Sequence, residues 1–156
     1  MKNNIKNIIK ITVLPLLLLI SSCGKEEFEP YNNPFFHIMV DNKGTVEVLA
    51  NRKDAVDYKV YLSAELQFDP IDVEYEITVG NGLKEGVDFD LITKGAKLTF
   101  PQGIFERPIT IQWKESILDP AKDNRIIIRL ISNTKNYTMG LPGPDQLQRQ
   151  LIITKK

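Results

Sequence analysis

Few side chains in this sequence are equipped for covalent chemistry, and they are scattered. The 156 residues contain one cysteine, Cys23, and one histidine, His37. An imidazole set between Phe36 and Ile38 reads as a strand position, so His37 is expected to pack or to line an edge instead of acting as a base. A single cysteine excludes an internal disulfide and a Cys-rich zinc site, and a single histidine excludes paired-His metal motifs. Ser63, Ser116 and Ser132 lack the glycine frame of a nucleophile elbow. Glu74 and Glu76 are the one carboxylate pair worth weighing. On one strand face they would sit about 6.6 Å apart, not far from the spacing of inverting glycosidases. Alternating acids are also the ordinary way to keep a sheet face solvated, and that is the reading adopted. The chain is expected not to be an enzyme and to need no cofactor.

Binding chemistry is better represented. Sugar rings have apolar faces and hydroxyl rims, so a carbohydrate site on a sheet pairs a flat aromatic with polar neighbours. Three side chains qualify: Trp113, Tyr61 and Tyr137. Trp113 continues the Ile109/Ile111 side of its strand and is expected in the core. Tyr61 falls on the polar side of its strand and is the better candidate for exposure. Tyr137 lies in the loop Asn133-Thr-Lys-Asn-Tyr137-Thr-Met-Gly140. None of the three is assigned to a site, and the ligand-binding residues stay open.

The elements that must carry these residues have a period of two. Ile71, Val73, Tyr75, Ile77 and Val79 alternate with Asp72, Glu74, Glu76 and Thr78, and Val56, Tyr58, Val60 and Leu62 alternate with polar partners. Leu98–Phe100 and Ile109–Trp113 continue the series. Residues 125–131 are apolar on both faces apart from Arg125 and Arg129, as suits a central strand. Phe35–Val40 and Val46–Ala50 open the domain, and Leu147–Thr154 closes it. Turn formers separate these runs, among them Asp41-Asn-Lys-Gly44, Gly80-Asn-Gly82, Asp119-Pro120 and Leu141-Pro-Gly-Pro144. The pattern predicts an all-β, Ig-like antiparallel β-sandwich of seven to nine strands, with no amphipathic helix.

The N-terminus has a different composition. Residues 1–22 hold Lys2, Lys6 and Lys10 and no acid, followed by the apolar run Ile11–Ile20 and then Ser21-Ser22-Cys23. A basic stretch, an h-region of about ten residues and small residues at its end make a secretory signal, too short to span a bilayer. Ile20-Ser21-Ser22-Cys23 resembles the lipobox of bacterial lipoproteins. In that family the cysteine thiol takes a diacylglycerol, the signal is cut before it, and the new amine is acylated. The resemblance implies lipidation at Cys23 and removal of residues 1–22, after which no free thiol remains. Three acyl chains anchor firmly where one binds only marginally. The next residues, Lys25-Glu26-Glu27, resemble the export signal of surface lipoproteins in a large group of Gram-negative bacteria. That resemblance implies the outer membrane and its outer face.

The expected organisation is therefore a signal peptide over 1–22, a lipidated tether over 23–34 and a folded domain over 35–156. The overall charge of zero, 20 basic against 20 acidic residues, conceals this division. Without the three signal lysines the mature chain is mildly acidic, which argues against a nucleic-acid binder relying on a basic surface.

Within the domain, Gly86-Val-Asp88-Phe-Asp90, Lys97-Leu-Thr-Phe100-Pro-Gln-Gly103 and Ile109-Thr-Ile111 resemble the Calx-beta domain and similar Ig-like modules over roughly residues 45–132. Calcium is the ligand such a resemblance raises. Calcium needs six to eight oxygen ligands, and the family supplies an acidic pair after the strand matching Ile109–Ile111. Here Gln112, Trp113 and Lys114 stand there, and the next loop offers only Glu115, Asp119 and Asp123, interrupted by Lys122. Asp88 alone matches, and capping its own turn would explain it. No metal is expected. The favoured function is a non-enzymatic, lipid-anchored cell-surface domain for adhesion or protein assembly at the outer membrane. The alternative is a carbohydrate-binding accessory lipoprotein of a glycan uptake system. Its partners are then the membrane, through the anchor, and a protein or glycan.

Overall fold

The alternating runs become strands that bury one face and leave the other wet. In the strand Ile71–Val79, Ile71, Val73 and Tyr75 are buried while Glu74 and Glu76 are exposed. The computed structural model describes residues 33–156, which lie in one compact unit. The signal segment, Cys23 and the Lys25-Glu26-Glu27 stretch lie outside the described residues.

Ten strands follow one another: β1 Phe35–Ile38, β2 Thr45–Val48, β3 Ala55–Ser63, β4 Ile71–Val79, β5 Phe89–Leu91, β6 Lys97–Phe100, β7 Glu106–Trp113, β8 Arg125–Asn133, β9 Thr138–Met139 and β10 Gln150–Lys155. No helix occurs among the described residues. The strands form two five-stranded sheets, ordered β5-β7-β3-β1-β9 and β2-β10-β8-β4-β6. Odd-numbered strands make one sheet and even-numbered strands the other, so every connection crosses the sandwich. Between the sheets lies an apolar core to which Val60, Ile109, Ile111 and Trp113 contribute from one side and Val73, Ile126, Ile128, Leu151 and Ile153 from the other.

The architecture is the all-β sandwich that the alternation predicts, with three differences of detail. There are ten strands, because β5 and β9 are too short to show a period. The sandwich is not wholly antiparallel: β1 runs parallel to β9, and β2 parallel to β10. The closing strand begins at Gln150 instead of Leu147, whose side chain is exposed in an irregular segment. Strand β8 is central, as its composition suggests. Only one of its apolar faces is fully buried, since Ile131 is partly exposed and Ile127 half-buried.

The edge strands have three, two, four and four residues. Such short edges offer little template for pairing with another chain. The long segment from β9 to β10 closes one side of the sandwich. It turns at Gly140, whose φ of +86° is left-handed, and a Cβ there would stand 2.4 Å from the Gln146 carbonyl oxygen. Only glycine fits both conditions.

The registers define two poles. At the entry pole the chain comes in ahead of β1, with Phe35 opposite Ser63, Ile71 opposite Phe100 and Val73 opposite Asn133. The loops 64–70, 101–105 and 134–137 gather there. At the far pole lie the loops 49–54, 80–88 and 114–124 and the end of β10.

Candidate functional site

The residues with catalytic potential are kept apart. His37 pairs with Tyr61 on the outer face of the odd sheet, whereas Glu74 and Glu76 project from the outer face of the even sheet, so the core separates them. Each is otherwise engaged. The Ser132 hydroxyl donates to Glu74 at 2.6 Å, and Glu76 lies 4.0 Å from the Arg129 guanidinium. The His37 ring is buried between Phe35, at 5.2 Å, and Tyr61, at 5.3 Å and 22°. Ser63 ends β3 and is half-buried.

Burial without a partner for Nδ1 lowers the His37 pKa from its ordinary value of 6.5. The unfolded chain then takes up a proton near pH 6.5 that the folded chain refuses. The contribution of His37 to stability is complete above pH 6.5 and is lost as the pH falls below it. The wild-type melting temperature is expected to fall between pH 7 and pH 5. His37→Phe, which keeps a ring in the stack, should remove that slope, and an unchanged slope would assign the acid sensitivity to other groups.

The three aromatics have separate fates. Trp113 is wholly buried, in agreement with its period. Tyr137 stacks on Phe36 at 6.3 Å, and its hydroxyl donates to Gln67 Oε1 at 2.7 Å, so it belongs to the entry pole's packing. Tyr61 is half-buried and borders a shallow groove of about 330 Å³ with Asp41, Asn42, Asp57 and Lys59.

The acids weighed for calcium all have other partners. Asp88 Oδ2 accepts the Lys84 amide N–H at 2.7 Å, which is the turn-capping role. Glu115 pairs with Lys53 at 2.6 Å, Asp123 with Arg125 at 2.7 Å, and Asp119 accepts the Ala121 amide. Among the described residues no three His, Cys, Asp or Glu side chains are grouped to hold a metal ion.

The far pole has instead an internal cation. Lys155 continues the buried face of Leu151 and Ile153 and is only 1% exposed. Its ammonium donates to the Asp88 carbonyl at 3.1 Å, the Lys114 carbonyl at 2.6 Å and Ser116 Oγ at 2.7 Å. That uses all three of its protons. The charge lies 5.6 Å from the Trp113 ring centre, within cation–π range. Burial lowers the Lys155 pKa, and the nearby Asp88 carboxylate opposes the shift. Below Trp113, its indole N–H donates to the Tyr58 hydroxyl at 3.0 Å, and burial pushes the Tyr58 pKa up to about 12. A buried lysine of lowered pKa is often a nucleophile, but here every N–H is committed and the group is closed to solvent. Its role is to tie the loop after β4 to the loop after β7.

A close approach of the same loops is built into Gly80, where a Cβ would stand 2.2 Å from the Asp123 carbonyl oxygen. Upon this braced frame sit three apolar side chains that face solvent: Ile117, fully exposed, with Leu49 and Val87. Ser116 N–H donates to the Ala50 carbonyl and Lys114 N–H to the Asp88 carbonyl, which sets the three loops side by side. Beside them a groove of about 440 Å³ is lined by Leu118, Pro120, Asn124, Thr154 and Lys155 among others. The same loops and the start of β5 carry the exposed ion pairs Arg52–Asp54, Lys53–Glu115 and Lys114–Asp90, each worth little in stability.

Sequence reasoning missed Lys155, although the alternation Leu151, Ile153, Lys155 points its side chain inward. Ile117 also left a signal, an aliphatic residue amid the loop formers Glu115, Ser116, Asp119 and Pro120. No family model matches this sequence, and no curated protein matches it.

Proposed function

We propose that this chain is a non-enzymatic lipoprotein of the outer membrane, anchored through Cys23, whose β-sandwich holds a partner protein at the cell surface by its far pole. The observation that carries the reading is the braced apolar patch of Ile117, Leu49 and Val87, opposite the pole at which the chain enters. Exposed apolar groups carried on mutually hydrogen-bonded loops beside charged pairs suit a protein contact and add nothing to the core. The separation of His37 from Glu74 and Glu76 supports a binding role over a catalytic one. The lipobox Ile20-Ser21-Ser22-Cys23 and the stretch Lys25-Glu26-Glu27 support the anchor and the surface location, and the sandwich is compatible with a Calx-beta-like module.

Chemical cross-linking on intact cells, followed by recovery of the tagged chain, tests the contact. One membrane protein should be recovered with the wild type, and Ile117→Asp should reduce its yield about tenfold or more, the effect of removing an apolar anchor worth roughly 1.5–3 kcal/mol. Equal recovery with Ile117→Asp would overturn the far pole as the contact. Cys23→Ser is expected to abolish metabolic lipid labelling and to release the chain from membranes. Persistent labelling would refute the anchor. Protease added to intact cells should degrade the domain, and full protection would refute the surface location.

A second reading, capture of a glycan, is favoured by one observation, the Tyr61 groove with its polar rim. On a glycan array it requires signals that Tyr61→Ala removes.

A further inference from the structure

The entry pole reverses the usual distribution of polar and apolar side chains in a loop. In the segment between β3 and β4, Leu66 and Phe68 project into solvent, and Phe68 is 75% exposed. The polar residue between them, Gln67, is turned inward. Its amide donates to the Glu65 carbonyl at 2.9 Å, and its Oε1 accepts from the Tyr137 hydroxyl at 2.7 Å. Two hydrogen bonds therefore hold the loop with its apolar side chains outward. The loop between β6 and β7 also presents Ile104 and Phe105 to solvent, 41% and 38% exposed. The loops adjoin: Leu62 N–H donates to the Phe105 carbonyl at 2.8 Å, and a Cβ on Gly103 would lie 3.9 Å from Leu66 Cδ1. Lys135 pairs with Asp69 at 3.0 Å and Lys59 with Glu106 at 2.6 Å, and Glu65 and Arg107 add one further charge of each sign, so the tip carries no net charge. Four exposed apolar side chains on a neutralised tip suit an interfacial lipid environment.

The position of the tip decides the occupant. It is the pole at which the chain enters β1, and Cys23 precedes the first described residue, Asn33, by ten positions. Ten residues reach at most about 35 Å when fully extended and roughly 20 Å when relaxed. A lipid on Cys23 keeps this pole within about one domain length of the bilayer, since a nine-residue strand is itself about 30 Å long.

We infer that the entry pole is a second membrane contact, in which Leu66, Phe68, Ile104 and Phe105 rest in the headgroup region of the bilayer that holds the Cys23 lipid. The inference rests on the lipid anchor proposed above. Docking by this pole sets the sandwich upright and turns the far pole away from the membrane.

The test uses the full lipidated chain in vesicles of phosphatidylethanolamine and phosphatidylglycerol. An environment-sensitive fluorophore is placed on Phe68→Cys or, at the far pole, on Ile117→Cys. The expected result is emission at shorter wavelength and quenching by lipid-borne spin labels for Phe68→Cys, with neither for Ile117→Cys. Adding Leu66→Ser and Ile104→Ser should abolish the shift while circular dichroism stays unchanged. The mass of the N-terminal peptide separates the two claims. A lipidated Cys23 with solvent-like emission at Phe68→Cys overturns the contact alone, whereas a bare Cys23 overturns the anchor and the contact with it. A fluorophore exposed on protein-free vesicles yet shielded on cells overturns the lipid occupant in favour of a protein.

Discussion

Trp113→Ala is expected to destabilise the domain by about 3–5 kcal/mol, a large part of the 5–15 kcal/mol by which typical domains are stable. The indole is wholly buried between the sheets and packs near Phe89 at 6.1 Å. Its loss removes the transfer free energy of a large side chain and leaves a cavity that ten cross-connected strands collapse poorly around. It also strips the Tyr58 hydroxyl of its donor and the Lys155 ammonium of the ring it faces. Urea denaturation followed by circular dichroism measures the change. A cost below about 1 kcal/mol would mean that the core around Trp113 repacks freely, against the density expected of an interior.

Lys155→Met is expected to cost about 2–3 kcal/mol, although methionine fills nearly the same volume. The substitution leaves the Lys114 carbonyl and Ser116 Oγ without the ammonium donor, while the Asp88 carbonyl keeps only the Lys114 N–H, and unpaired buried acceptors are costly. Part of the loss is offset, because the ammonium itself is expensive to bury, as its lowered pKa records. Hydrogen exchange should place the loosening in the segments 80–88 and 114–124 and spare the entry pole. Trp113→Leu combined with Lys155→Met should cost less than the sum of the two, since each alone removes the one cation–ring contact. Strict additivity would show that the contact contributes nothing. If the far pole is the partner-binding surface, Lys155→Met should also weaken recovery of the partner, with Ile117 itself untouched.

The sequence made the long strands readable because a strand's side chains alternate with a period of two, and runs such as Val56–Leu62 and Ile71–Val79 are long enough to express it. Trp113 was legible for the same reason. Strands β5 and β9, with three and two residues, carry no period at all. They exist because β7 and β1 offer them an edge. The parallel partnering of β1 with β9 and of β2 with β10 joins distant segments, and nothing local encodes it. The same limit hid both poles. Leu66 and Phe68 look like unremarkable loop residues until Gln67 is seen turned inward, and Ile104 lies far away in sequence. The turn-capping role of the Asp88 carboxylate was legible in its loop, whereas nothing local announced that its carbonyl receives the Lys155 ammonium. Cys23, Lys25, Glu26 and Glu27 were legible as motifs, and their reading rests on the sequence.

The division of odd strands from even strands has a consequence in time. Among the described strands no two consecutive ones are neighbours in a sheet, so no pair of them forms a hairpin with which to begin. The nearest partners on two different strands, Leu91 and Ile111, are twenty residues apart, and the pairing of β2 with β10 spans most of the domain. Loop-closure entropy must therefore be met before any sheet contact can repay it, which places folding among the slow, millisecond-to-second class. Because β2 and β8 both pair with β10, the even sheet cannot close until that last strand has been made, so the domain completes its fold only at the end of its own synthesis.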